Sequence, residues 1–274
     1  KAVAHVGTER EAGIGAWLYF NAKGWDWPDA THIQDPLSLR MLSQVFATGF
    51  ETLVAAGKTL LAATGRTDDN PVVAGEKVLT SGGSLPLDVT VFLQTAQLGL
   101  AHIARNSFNR CVLLGNGQRR DLPVNLVPPG AIATGFGPII KLAGEMFARV
   151  LSLTNPISAN SMVVAGGMED EATFLPLVVE RFERQVWALR RLAALEAMLS
   201  AQAMDLSGDR PGNVPGIIYA LVRRHADTYW QDRPLSAEVE AIESALASDD
   251  LMSELISHSK IMELDEFFAL GPIA

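Results

Sequence analysis

Apolar residues recur at spacings of three and four along most of this chain, and alternation with period two rarely survives beyond four residues. That pattern predicts amphipathic helices, with few strands. The clearest stretch runs from about Thr173 to Met204. Leu175, Val178, Val179, Phe182, Val186, Leu189, Leu192, Leu195 and Met198 trace one face, while Glu180, Arg181, Glu183, Arg184, Arg190 and Arg191 lie largely elsewhere. Some thirty helical residues at 1.5 Å each span roughly 45 Å. The acids Glu169, Asp170 and Glu171 stand just before this helix and suit its positive end.

Further helices are expected over Leu37–Ala63, Leu87–Asn106, Phe136–Leu153, Val214–His225, Ser236–Ala247 and Asp249–Phe267. Clusters rich in Gly and Pro separate them at 65–71, 81–86, 115–130, 154–167 and 207–216. The expected fold class is all-α, an elongated bundle of long helices. Residues 1–206 would form its core region, and 207–274 a helical tail packing on the bundle or on a neighbouring subunit. In such a bundle the loops at the helix ends are where polar residues meet ligands.

Composition narrows the chemistry. Hydrophobic residues make up 48% of the 274, enough for a substantial core. The 31 acidic residues outnumber the 22 basic ones for a net charge of −9, which argues against a nucleic-acid partner. No run of about 18 uninterrupted apolar residues occurs, so no membrane span is expected. The lone Cys111 excludes an intrachain disulfide and suits a reducing, cytoplasmic setting. The five histidines, His5, His32, His102, His225 and His258, show no zinc-type spacing, so no metal is expected. Phosphate-loop and nucleophile-elbow signatures are lacking, and Gly115-Asn116-Gly117 reads as a turn. The chain opens on Lys1 and reads as a trimmed or cleaved polypeptide.

Three loops carry candidate chemistry. In Gln34-Asp35-Pro36-Leu37-Ser38-Leu39-Arg40, Pro36 suits a first helical turn that Asp35 could cap, with the Gln34 amide before the helix and the Arg40 guanidinium one turn inside it. A guanidinium grips a carboxylate through two parallel hydrogen bonds; the same residues also read as a capped helix with a surface Arg. Asn70, before Pro71, can donate and accept, or simply make a turn. Glu169, after Gly166-Gly167, could bind an ammonium, move a proton or cap the long helix.

Taken in order, Gln-Asp-Pro-Leu-Ser-Leu-Arg, Thr-Asp-Asp-Asn-Pro-Val, Ser-Gly-Gly, Thr-Gly-Phe, Ile-Ser-Ala-Asn and Gly-Met-Glu-Asp resemble the C-terminal portion of the aromatic amino acid lyase family, over roughly residues 5–206. That family includes histidine and phenylalanine ammonia-lyases and aminomutases. The resemblance implies an almost all-helical homotetramer whose active sites draw on more than one subunit. It implies elimination of ammonia from an α-amino acid to give an α,β-unsaturated acid, assisted by a 4-methylidene-imidazol-5-one (MIO) electrophile made from an internal Ala-Ser-Gly. Gln34 would order the pocket, Arg40 would hold the substrate carboxylate, Asn70 would line the same region, and Glu169 would stand near the substrate amine or ring.

Two positions depart from the pattern. Leu37 stands where the family often has Tyr, and Ser84-Leu85 where it often has Asn-Phe; both leucines fall on substrate-binding positions. No Ala-Ser-Gly occurs, and Ser207-Gly208-Asp209 reads as a turn. The expectation is therefore part of a lyase, inactive alone, with MIO supplied by a missing N-terminal segment or a companion chain. The alternative is a non-catalytic scaffold or regulatory subunit of the same fold.

Overall fold

The computed structural model describes residues 7–21, 33–117, 121–160, 162–209 and 211–258. Its helices are α1 (Glu9–Asn21), α2 (Leu37–Arg40), α3 (Leu42–Thr64), α4 (Leu87–Gly115), α5 (Gly137–Ser152), α6 (Leu175–Ser207), α7 (Asn213–His225), α8 (Ser236–Leu246) and α9 (Asp249–His258). Between α3 and α4, β1 (Val72–Ala74) and β2 (Lys77–Leu79) form a small antiparallel hairpin with Val73 opposite Val78. The fold is that of an all-α bundle, with α4 and α6 as its long members.

Several boundaries differ from the periodicity. The helix expected over 37–63 breaks at Met41, which separates the single turn α2 from α3. Helix α4 continues nine residues past Asn106, because its polar stretch there meets partners on α6 rather than solvent. Helix α1 and the hairpin lie outside the expected elements. The part of the expected final helix beyond His258 falls outside the described residues.

The core gathers along α6. Val178, Leu192, Leu195, Met198 and Leu199 are fully or almost fully buried, against Ala104 and Cys111 of α4 and Ala143, Met146 and Val150 of α5. The same cluster continues into Ile217, Leu221, Val222, Tyr229, Val239, Ile242 and Leu251, so the segments after Ser207 share one core with those before it. Helix α3 crosses α4 where glycines face each other. A Cβ on Gly99 would lie 3.2 Å from Gly49 Cα and 2.3 Å from Thr52 Oγ1, so only the missing side chain allows this approach. By length and composition α3 could cross a membrane, being 23 residues long. In this fold it pairs Glu51 with Arg10 of α1 at 3.0 Å.

Helix directions fix where the loops gather. Gln185 of α6 donates to the carbonyl of Gln97 on α4, and Ser107 of α4 donates to Glu196 on α6, so these two helices run parallel. Helix α5 runs against them: Phe108 stacks on Phe147, and Gln97 donates to Leu153 O. The loop from α5 to α6 therefore lies toward the Leu87 end of α4. At the other end of α6, Gly208 takes φ 72 as the helix terminator, and Ser207 Oγ bonds the Asp209 carboxylate at 2.6 Å. The Ser-Gly-Asp turn is thus a helix end.

Candidate active site

The candidate residues fall into two groups at opposite ends of the bundle. The first is Gln34, Leu37 and Arg40. Pro36 occupies the boundary position before α2 (φ −57, ψ 155), so Asp35 is not the capping residue expected from the sequence. Its backbone carbonyl instead accepts from Arg40 Nε at 2.6 Å, folding the guanidinium back beside the residue that follows Gln34. Gln34 and Arg40 are exposed, and Leu37 is 57% exposed. The next turn is anchored from below: Asn106 Nδ2, on α4, donates to Ser38 O at 3.0 Å.

The second group is Asn70, Leu85 and Glu169. Asn70 precedes a cis peptide to Pro71, and its Oδ1 accepts from Ser81 N at 3.0 Å. Ser81 Oγ in turn takes the N–H of Gly83 at 2.9 Å, closing the Ser-Gly-Gly turn. Leu85 stands two residues before α4, 44% exposed, its carbonyl bonded by Leu87 N. Arg66 pairs with Asp88 at 2.8 Å across the same corner. The Val89 N–H and this guanidinium hold the Asp88 carboxyl below the usual range, against the opposing effect of desolvation.

Glu169 is not at the start of the long helix. It lies six residues before Leu175, in a tight reversal where its backbone pairs with that of Val164 around Gly166 and Gly167, both at positive φ. Phe174 and the α6 segment Leu175-Pro176 begin the helix instead. Glu169 is exposed, so helix capping is not its role here.

Along α4, Leu87 and Asn106 are 19 residues apart, about 28 Å. One chain therefore folds Arg40 back onto Asp35, next in sequence to Gln34, and places Asn70, Leu85 and the Glu169 loop toward the far end. A concave surface of about 310 Å³ does occur, between the end of α5 and α6, lined by Arg149, Leu153, Glu183, Arg184 and Trp187. None of the six candidate residues lines it. Among the described residues no three His, Cys, Asp or Glu side chains gather so as to hold a metal.

A polar string beneath α2 was not evident in the sequence. Glu196 of α6 accepts from Arg110 Nε, from Arg110 Nη2 at 2.8 Å and from Ser107 Oγ at 2.5 Å, and Arg110 Nη1 donates to Asn106 Oδ1. Arg110 and Glu196 side chains are only 15% and 19% exposed. In the sequence Asn106, Ser107 and Arg110 read as solvent-facing polar residues, and only Glu196 opposite them shows otherwise.

The family model for aromatic amino acid lyases matches residues 12–224, and the chain belongs to that family. It is 26% identical over 228 residues to a histidine ammonia-lyase of Stigmatella aurantiaca, covering 82% of this chain and 45% of that protein. A histidine ammonia-lyase of Photorhabdus laumondii is 28% identical over 228 residues, with 44% of its length covered. The chain thus spans rather less than half the length of these relatives. Among solved structures, ergothionase from Treponema denticola superposes with a TM-score of 0.83 at 26% identity, over 91% of this chain and 51% of that one. Histidine ammonia-lyase from Trypanosoma cruzi superposes at 0.85 with 20% identity, over 98% and 52%.

The family's MIO group grows out of an Ala-Ser-Gly tripeptide, and the 274 residues contain none. Its last two residues recur as Ser207-Gly208, committed to the end of α6, and as Ser81-Gly82, closed in a turn by Ser81 Oγ and Gly83 N. The residues present therefore do not furnish the group, and no chemical step is assigned to it within this chain.

Proposed function

We propose that this chain is the C-terminal portion of a cytoplasmic, homotetrameric aromatic amino acid ammonia-lyase. The assembly would eliminate ammonia from an α-amino acid to give an α,β-unsaturated acid. The observation that carries this reading is the family match across residues 12–224, which contains the motifs of all six candidate residues in order. The MIO electrophile, which makes nitrogen a better leaving group, would come from a segment or companion chain bearing Ala-Ser-Gly.

This chain's own contribution is to bind and orient. Arg40, steadied through Nε by the Asp35 carbonyl, pairs with the substrate carboxylate. Gln34, next in sequence to Asp35, supplies an amide to order the pocket. The Glu169 carboxylate accepts from the α-ammonium or takes up a proton. Asn70 completes the polar lining, and Leu37 and Leu85 offer apolar contact to the substrate side chain. The separation of about 28 Å along α4 means that a pocket uniting both groups takes a second copy or a companion chain.

Intact-mass analysis of the native assembly tests the proposal. The expected result is a polypeptide, continuous with this chain or accompanying it, that carries a dehydrated Ala-Ser-Gly. Deamination of an amino acid by the isolated 274-residue chain would overturn it. The exposed leucines at positions 37 and 85, where the family often has Tyr and Phe, favour a second reading as a scaffold for a true lyase. Calorimetric titration of the complete assembly with aromatic amino acids separates the two. Binding that Arg40→Ala abolishes supports the enzyme, and no binding supports the scaffold.

A further inference from the structure

Gln34, Asp35, Leu37 and Arg40 are exposed, and α2 is a single helical turn, too short to hold its own geometry. Its N-terminal boundary has no side-chain cap. Yet it would have to present an amide and a guanidinium to a zwitterion within a fraction of an ångström. Beyond the turn's own backbone bonds, from Leu39 and Arg40 N to Pro36 O and from Met41 N to Leu37 O, its anchor comes from another helix. Asn106 is 5% exposed and donates from Nδ2 to the Ser38 carbonyl, in the middle of the turn. The other half of the same amide is occupied, since Oδ1 accepts from Arg110 Nη1. Arg110 is itself fixed by two bonds to Glu196, which Ser107 also engages. An asparagine amide is free to rotate about its terminal bond unless both ends are engaged. Here both are, so the donor is aimed at Ser38 by a carboxylate on α6.

We propose that Asn106 is a positioning residue for the substrate-carboxylate site. It transmits the Arg110–Glu196 pair to the backbone of α2 and so sets where Arg40 and Gln34 stand relative to the bundle. This rests on the reading of Arg40 as the carboxylate ligand. The structural link itself is independent of that reading and is tested separately.

Asn106→Asp is the informative change. The carboxylate still accepts from Arg110, so the buried cation keeps a partner, but it cannot donate to Ser38 O. Asn106→Ala removes both functions, and Asn106→Gln restores donor and acceptor on a longer arm. In the 274-residue chain, hydrogen exchange should rise about tenfold or more at the amides of Leu39, Arg40 and Met41 in Asn106→Asp. Amides in the middle of α6 should stay as protected as in the parent. Unchanged exchange at α2 in both Asn106→Asp and Asn106→Ala would overturn the proposal. So would a uniform rise throughout the bundle in both variants, because that reports lost stability rather than lost positioning.

In the complete assembly, the Asn106→Asp enzyme should show KM for the amino acid raised about tenfold with kcat changed less, and Asn106→Gln should recover part of the loss. Loosened exchange at α2 with substrate affinity untouched by either Asn106→Asp or Arg40→Ala would preserve the mechanical link and refute the carboxylate role of Arg40. An affinity lost in Arg40→Ala but unmoved in Asn106→Asp would overturn positioning by Asn106.

Discussion

The two ends of α4 hold their candidate residues in opposite ways. Toward Leu87 the fastenings are short-range and exposed: Asn70 to the backbone of Ser81, Ser81 to Gly83, Val164 to Glu169, Arg66 to Asp88. Toward the other end, the turn carrying Arg40 is fastened by a buried string through Asn106 and Arg110 to Glu196, with partners 68 to 89 residues apart in sequence. The first kind of fastening lets a loop keep its shape with little help from the core. The second ties a functional turn to helix packing, so damage to the core reaches the site. The difference predicts which substitutions destabilise the fold and which leave it alone.

The largest effect belongs to the buried pair. Arg110→Ala leaves Glu196 largely buried with its strongest donor removed, and should cost about 3 kcal/mol of unfolding free energy. Denaturant unfolding followed by circular dichroism measures it. Replacing both partners together, Arg110→Met with Glu196→Leu, should recover much of that loss, since no charge is then left unpaired. If the single substitution costs under about 0.5 kcal/mol, the contrast between the two ends collapses.

Next comes Gln202, which serves a purely structural join. Its Nε2 donates to Tyr229 O at 3.1 Å, and its Oε1 accepts from Tyr229 N at 2.9 Å, knitting α6 to the strap between α7 and α8. Gln202→Leu keeps the volume and abandons three backbone groups, those of Tyr229 and the Leu126 carbonyl that Nε2 also reaches, for a loss of about 2 kcal/mol. Unlike Arg110→Ala, it should leave exchange at α2 unchanged.

The same corner titrates. Burial, then the hydrogen bond to Asp232, pushes Tyr229 up to about 12. The neutral phenol is the form the fold prefers. Its contribution is complete below the ordinary tyrosine value near 10 and fades as pH climbs through about 12. Tyrosinate absorbance should therefore show a late ionisation that moves down, though not fully to the ordinary value, in Asp232→Asn. Asp232 shifts the other way. Hydrogen bonds from Tyr229 and Thr134 hold it below the usual carboxylate range, so its support is present at neutral pH and is lost only in strong acid.

How much of this could be read from the sequence follows the same division. Helices α5 and α6 announced themselves because Val150, Leu192, Leu195 and Met198 repeat on one stripe facing one core. The end of α4 did not, since Asn106, Ser107 and Arg110 look like solvent-facing residues until Glu196 is known to lie opposite. Helix α1 is rich in Gly and Ala, which blurs any stripe, and strands of three residues are too short for a period to register. Glu169 was misplaced because three successive acids imitate a helix start. The chain instead uses positive-φ glycines to double back before Phe174. Site residues were visible only through the order of motifs, since spacing says nothing of a turn's depth or of its distant support.

The smallest expected effect is the sharpest test. Arg40 is exposed, its Nε donates to a carbonyl five residues back, and Asn106 holds the backbone of α2 from below. Arg40→Ala should therefore shift unfolding free energy by no more than about 0.5 kcal/mol, the ordinary range for a surface substitution. Arg66→Ala at the other end should do much the same, because the Arg66–Asp88 pair is about half exposed. The two part company on ligand. In the complete assembly Arg40→Ala should remove binding of an amino acid's carboxylate, a loss of about 1.5–3 kcal/mol for a charge-assisted contact, and Arg66→Ala should leave it intact. Equal losses from both would mean that carboxylate recognition depends on the general charge of the bundle ends rather than on the turn that Asn106 holds.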